Sequence, residues 1–217
     1  MGLGLFPAIS PNGRLLASVR SSKGPCDFFA YDELVVTDLI SGTERTLRSS
    51  RSVDVSFLSW APDSTHLAFD ESIGGASRKR VLDVTVARSL DQAAAPAQPG
   101  GTDWAAYAGE KRAIGIAPRN GSSARTATVV EFDARSGLDR RVLFTVPGGL
   151  AVTNAFDGPE NTLVPDESGA NVLAIGLVPV DAQVRHGALY RWHTGDPSPT
   201  LVADEIWAAA WLESPAS

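Results

Sequence analysis

Short apolar runs alternate along the chain with clusters of Pro, Asn, Asp, Ser and Gly, and no stretch shows the period of an amphipathic helix. One pattern recurs: a short apolar strand, a polar turn, then a second apolar strand. It reads Pro7-Ala-Ile-Ser-Pro-Asn-Gly-Arg-Leu-Leu-Ala17 and returns as Leu58-Ser-Trp-Ala-Pro-Asp-Ser-Thr-His-Leu-Ala68. Weaker copies run from Ala105 to Gly115 and from Asn154 to Val164, and a fifth start runs from Ala209 to Pro215. Aligned, the copies share a bulky column (Ile9, Trp60, Tyr107, Phe156, Trp211) preceded by a small one (Ala8, Ser59, Ala106, Ala155, Ala210). Neighbouring strand residues point to opposite faces, so each copy predicts one face with a packing residue and one that admits a close neighbour.

The bulky residues are spaced by 51, 47, 49 and 55 positions, and a four-stranded propeller blade occupies roughly 40–50 residues. The remaining strands fit that period. Third strands are predicted from Leu34 into a turn at Asp38-Ser41-Gly42, from Val129 into Asp133-Ser136-Gly137, and from Ala188 to Gly195, with Arg191 where the Asp stood. Asp and Ser bond local backbone and Gly accepts positive φ, which is hairpin chemistry. Fourth strands are expected at Arg45–Arg48, Arg141–Val146 and Pro199–Val202. The second copy is irregular, with Val81–Val86 as its third strand and Ala93–Gly101 as a loop. The expectation is an all-β chain, a β-propeller of about four to five four-stranded blades. It reads as one domain with repeats near 5–54, 55–102, 103–151 and 152–205 and a final strand at 206–214.

Ser10-Pro-Asn-Gly-Arg-Leu-Leu-Ala17 and Trp60-Ala-Pro-Asp-Ser-Thr-His-Leu-Ala68 resemble the WD-like repeat of TolB and of the propellers of the prolyl oligopeptidase family. The chain as a whole also resembles actinobacterial propeller proteins of unassigned role. The resemblance implies architecture rather than activity, because propellers host many functions. It also raises a question of closure, since both ends of the chain supply the same inner strand. Three closures answer it: outer strands in upstream sequence, a fifth strand near Trp207–Leu212 docked irregularly on a four-bladed ring, or two chains completing each other as a homodimer through an open blade edge.

With 217 residues, 43% of them hydrophobic, the chain can bury a core. Its net charge of −6 argues against nucleic acid, and the densest basic run, Arg78-Lys79-Arg80, reads as a solvated loop. The one cysteine, Cys26, excludes an internal disulfide and a cysteine-built zinc site, and no His stands near it to activate it. No apolar run is long enough to span a bilayer, and Met1–Ser10 lacks a signal peptide, so the chain as given reads as cytoplasmic, or extracytoplasmic if a leader was removed.

Catalytic signals are sparse. His186 and His193 flank a strand on opposite faces, which disfavours a shared metal, and His66 occupies a turn. No Gly-x-Ser-x-Gly or phosphate-cradling motif is present. The acidic stretch Asp157–Asn161 with Asp166-Glu167 could offer oxygen ligands to Ca²⁺, but it coincides with the repeat's turn. No cofactor or metal is expected. Asp103, Asn154, Asp157 and Glu205 fall at the ends of inner strands, and Trp104 and Trp207 near their entrances, where they either line a channel mouth and stack on a ligand or pack between blades. The leading expectation is a non-catalytic module that binds a protein or peptide. The alternative is a small-molecule or enzymatic propeller of the lyase or lactonase class, with its site at the central channel.

Overall fold

The structure, a computed structural model, describes residues 5–23, 31–100, 102–109, 111–117, 126–147, 163–166, 168–179 and 185–204. The described residues form strands joined by turns, with one turn of 3-10 helix at Leu90–Gln92. They fall into two compact units, Met1–Pro96 and Ala97–Ser217.

In the first unit, blade one is β1 (Leu5–Ile9), β2 (Leu15–Arg20), β3 (Glu33–Asp38) and β4 (Glu44–Arg48), and blade two is β5 (Asp54–Trp60), β6 (His66–Ile73) and β7 (Ala76–Asp83). In the second, blade three is β8 (Asp103–Tyr107), β9 (Arg112–Ile116), β10 (Thr126–Asp133) and β11 (Arg141–Pro147). Blade four is β12 (Leu163–Pro165), β13 (Asn171–Pro179), β14 (Arg185–His193) and β15 (Thr200–Asp204). In every sheet the strands lie in chain order, each antiparallel to the next. Such a meander is what short strands linked by tight turns form, and it is the make-up of a propeller blade.

Each unit has its own core between its two blades. In the first, Val19, Leu34 and Leu47 pack with Val55, Trp60, Leu67 and Phe69. The Trp60 indole N–H donates to the Ala8 carbonyl at 2.9 Å, so a large side chain is buried with its polar atom satisfied. In the second, Ile114, Val129 and Val146 pack with Leu163, Val172 and Ala174, and Phe144 stacks on Trp192 at 5.3 Å between ring centres.

Inner strands β1, β5 and β8 each carry a one-residue bulge at the same point of the repeat: between Leu5 and Ala8, Ser56 and Ser59, and Trp104 and Ala106. A bulge adds twist and re-aims the side chains beside it. In β5 it places Phe57 at φ 53, a left-handed conformation rare for a bulky residue, with the ring buried.

Three expectations need correction. Ile9 is 62% exposed rather than packed like Trp60. Trp60 is covered because β1 lies beside it, whereas on β1 it is Ala8 that turns to the shared core, which by alternation sends Ile9 the other way. The third strand of blade two is Ala76–Asp83, not Val81–Val86. It begins straight after Gly74-Gly75, both at positive φ, the two-residue hairpin turn that suits strand twist. In blade four Leu163–Pro165 is the strand that pairs with β13, rather than the strand after the repeat's turn, and the turn that follows it opens at Asp166, which makes the backbone bonds that Ser10 makes in blade one; residues 157–161 lie outside the described residues.

The Gly109 and Gly169 turns of blades three and four lie backbone against backbone. A Cβ on Gly109 (φ 76) would fall 2.8 Å from the Ser168 oxygen, and one on Gly169 (φ 72) 2.8 Å from the Ala108 carbonyl carbon. Gly13 (φ 70) has nothing within 4 Å. Gly13→Ala should therefore cost about 1 kcal/mol from its dihedral alone. Gly109→Ala and Gly169→Ala should each cost at least about 1 kcal/mol more in urea unfolding, from the added clash.

Candidate functional site

The chemically dense regions of the described residues are buried carboxylates held under arginines. Register builds the first of them: Glu33 of β3 lies directly between Arg20 of β2 and Arg48 of β4. Arg20 Nε donates to Glu33 Oε2 at 2.8 Å and Arg48 Nε to Oε1 at 2.6 Å. Blade three repeats the device with Glu131 of β10, reached by Arg112 of β9 at 3.2 Å and Arg141 of β11 at 2.8 Å. Blade two has the largest cluster. Arg78 Nε donates to Glu71 Oε2 at 2.6 Å, Arg51 Nη2 lies 3.4 Å from Oε1 and Arg80 Nε 3.8 Å from Oε2, while on the next residue Lys79 pairs with Asp70 at 2.9 Å. Buried charge is tolerated only with such partners, and guanidinium offers several donors to each carboxylate. Glu71 and Asp70 are buried while the side chains of Arg51 and Arg78 are 48% and 50% exposed, so solvent at this end of blade two meets the positive groups.

This overturns the reading of Arg78-Lys79-Arg80 as a solvated loop. The triplet lies on β7 and pairs across the hairpin with the acidic residues of β6. The sequence carried a signal for it: Asp70-Glu71 and Arg78-Lys79 are mirror positions about Gly74-Gly75.

Beyond β7, blade two has no further strand among the described residues. Its outer edge is closed at one point, where Val81 and Ala94 exchange both backbone hydrogen bonds (2.8 and 2.9 Å). In an antiparallel ladder the next such pair would set residue 96 opposite Lys79. Residue 96 is proline and has no N–H to give, so the ladder cannot continue.

The turn aspartates are engaged in local structure. Asp38 accepts from the Ser41 and Ile40 N–H groups and from Arg14, and Asp133 from Ser136 and Arg135. The Ser41 N–H and the Arg14 side chain draw the Asp38 carboxyl down to about 2. Burial pushes Asp63 up, but the N–H groups and side chains of His66 and Thr65 outweigh it and bring Asp63 to about 2. Where blade four lacks the repeat's Asp, Asp196 takes the role, accepting from the His193 N–H at 3.1 Å.

Of the six channel candidates, Asn154, Asp157, Glu205 and Trp207 lie outside the described residues, as does Cys26. Asp103 and Trp104 are neighbours on β8. Asp103 is exposed, and Trp104 is 3% exposed with its ring edge-on to Tyr107 at 5.0 Å. His66 Nδ1 lies 2.6 Å from Asp63, and His193 Nδ1 lies 2.9 Å from Asn171. Strand β14 takes in both His186 and His193. Asp166 is bound by Ser168 and Asn171 within its turn. Among the described residues no group of three or more His, Cys, Asp or Glu side chains is placed to hold a metal, and no helix is long and apolar enough to cross a membrane.

No protein-family model matches the sequence, and no curated protein matches it. Solved structures match its fold. TolB from Acinetobacter baumannii superposes with a TM-score of 0.61 at 17% identity, over 94% of this chain and 44% of that one. The β-propeller domain of the Trilobed protease from Pyrococcus furiosus, described as having an open velcro topology, gives 0.51 at 14% identity, over 92% of this chain and 57% of that one. A puromycin-hydrolyzing peptidase of Mycobacterium tuberculosis gives 0.57 at 16% identity, over 99% of this chain and 30% of that one. The chain thus spans about half the length, or less, of the structures it resembles. Its fold is that of a β-propeller, and in particular a TolB-like one.

Two outcomes follow from these ion pairs and turns. Arg20→Ala combined with Arg48→Ala strands the buried Glu33 and should cost about 3–5 kcal/mol in urea unfolding, most of it regained on adding Glu33→Leu. Asp38 and Asp63 have folded values near 2 against 3.8 for the free group, so their stabilisation is complete above about pH 4 and is lost as pH falls towards 2. A chain with Asp38→Asn and Asp63→Asn should be less stable than the parent at neutral pH and lose less stability across that acid interval.

Proposed function

We propose that the chain is a non-catalytic interaction module that binds a protein or peptide partner through the turns joining the third and fourth strands of its blades. The observation that carries this reading is a repeated one. Leu39 and Ile40 in blade one and Leu138 in blade three are large apolar side chains exposed on the same turn of the repeat, and Val86 is exposed just after β7 in blade two. Leu39-Ile40 and Leu138 stand inside or beside the Asp-x-x-Ser-Gly turns, whose aspartates fix the backbone and so hold these tips in place. Rigid turns presenting apolar tips lower the entropy lost on binding. The ionisable groups described above support the same reading, since their hydrogen bonds and ion pairs run to one another and to turn backbone rather than converging on a vacant point.

The test is affinity capture from cells of the source organism with the immobilised chain, beside variants Ile40→Ser and Leu138→Ser. The parent should retain a specific partner and the two variants should retain markedly less. A parent that retains nothing, or variants that retain as much, would refute the reading.

A further inference from the structure

We infer that the outer edge of blade two, at Ala76–Arg78 where β7 begins and short of the Val81–Ala94 bridge, binds an extended, acidic segment of a partner protein that pairs with the backbone of Ser77. This surface is distinct from the apolar turns: Ser77 follows the Gly74-Gly75 hairpin, at the opposite end of β7 from Val86. The two readings therefore stand or fall separately.

The first support is geometric. Blades one, three and four each have four strands, whereas among the described residues blade two has three. The place of its fourth strand is held by the single Val81–Ala94 bridge, and Pro96 stops that bridge from extending. Val81 turns its N–H and C=O outward to Ala94. Outward-pointing residues alternate along a strand, so Ser77, four residues earlier, has the same parity. Ala76, Ser77 and Arg78 are exposed. A strand edge with outward backbone groups is a template for an added strand, which gains main-chain hydrogen bonds along it.

The second support is charge. Arg78, Lys79 and Arg80 follow one another on this edge strand, and Arg51 reaches the same cluster. Arg51, Arg78 and Arg80 all surround one carboxylate, Glu71, which is buried beneath them, while Arg51 and Arg78 stay half exposed. An incoming strand with carboxylates at alternate positions can set them on the face that bears Arg78 and Arg80. The same charges argue against a second copy of this chain as the occupant. Pairing β7 with another β7 would set basic residues opposite basic residues, and like charges facing across strands destabilise the pair.

The experiment uses the full chain and a fluorescent synthetic peptide alternating valine and glutamate, read by fluorescence anisotropy. Analogues carry glutamine or lysine in place of glutamate. The glutamate peptide should bind, more weakly as salt rises, and the glutamine peptide should bind roughly tenfold more weakly. Ser77→Pro removes an outward N–H without touching a bond to β6, and should weaken binding about fivefold to tenfold, while Ser77→Ala should leave it unchanged. Hydrogen exchange on the parent gives a readout free of substitutions: the Ser77 amide should slow when the glutamate peptide is added. Equal binding of the glutamate and glutamine peptides would overturn the proposal, as would full binding by a folded Ser77→Pro chain or unchanged exchange at Ser77. Self-association of the parent that Ser77→Pro abolishes would assign the edge to a second copy and overturn it equally. Ile40→Ser should bind the peptide like the parent, so a failed capture experiment and a failed edge experiment point to different faults.

Discussion

A carboxylate taken out of water without a counter-charge costs several kcal/mol, and blades one, two and three are organised around avoiding that cost. Glu33, Glu71 and Glu131 each sit inside a sheet and are reached by arginines from flanking strands or, at Arg51, from the segment that leads into the blade. The pairing works in one register only. A slip of a single residue would turn each glutamate to the other face of its sheet and leave its arginines behind. Apolar residues such as Val35 and Val36 would tolerate several registers of a short sheet, whereas the buried charges do not. They select the alignment that the hydrophobic contacts then fill.

With register fixed, each blade still has to meet its neighbour, and two devices do this within the compact units. One is the large side chain with a polar tip or a stacked face, Trp60 against the backbone of β1 and Trp192 against Phe144. The other is the bulge shared by β1, β5 and β8, which adds twist to each of these strands. Phe57 holds a left-handed backbone there because its buried ring and the paired strand on either side of the bulge leave no easier arrangement.

Much of this was legible in the residues. The Ser-Pro-Asn-Gly and Ala-Pro-Asp-Ser turns, the Asp-x-x-Ser-Gly hairpins and the near-regular spacing of bulky residues give the blade repeat directly, because turn chemistry depends on a few neighbouring atoms. What failed was whatever depended on distant partners. Hydrophobicity reads Arg78-Lys79-Arg80 as loop, since nothing in those three residues says that Asp70 and Glu71 lie across a Gly-Gly turn. Aligning the fourth repeat by its bulky column puts its turn at Asp157, whereas the turn before β13 opens nine positions later, at Asp166, where Glu167-Ser168 stand in place of Pro-Asn and hide the match. The bulges were invisible because one added residue flips the alternation that the reading relies on. Of the channel candidates, Asp103 and Trp104 could be placed, one exposed and one buried, although they are adjacent on the same strand.

Beside β7 a single absent hydrogen atom has a structural consequence. Because Pro96 has no N–H, the segment that pairs with β7 at Val81 cannot extend its ladder by the next full pair, and among the described residues that sheet has three strands. In evolutionary terms the sheet is a lock whose state is written in one codon. A lineage can open or shut this edge without disturbing the core, the turns or the other blades, so a surface for partners can be gained or lost on a scaffold that does not otherwise change.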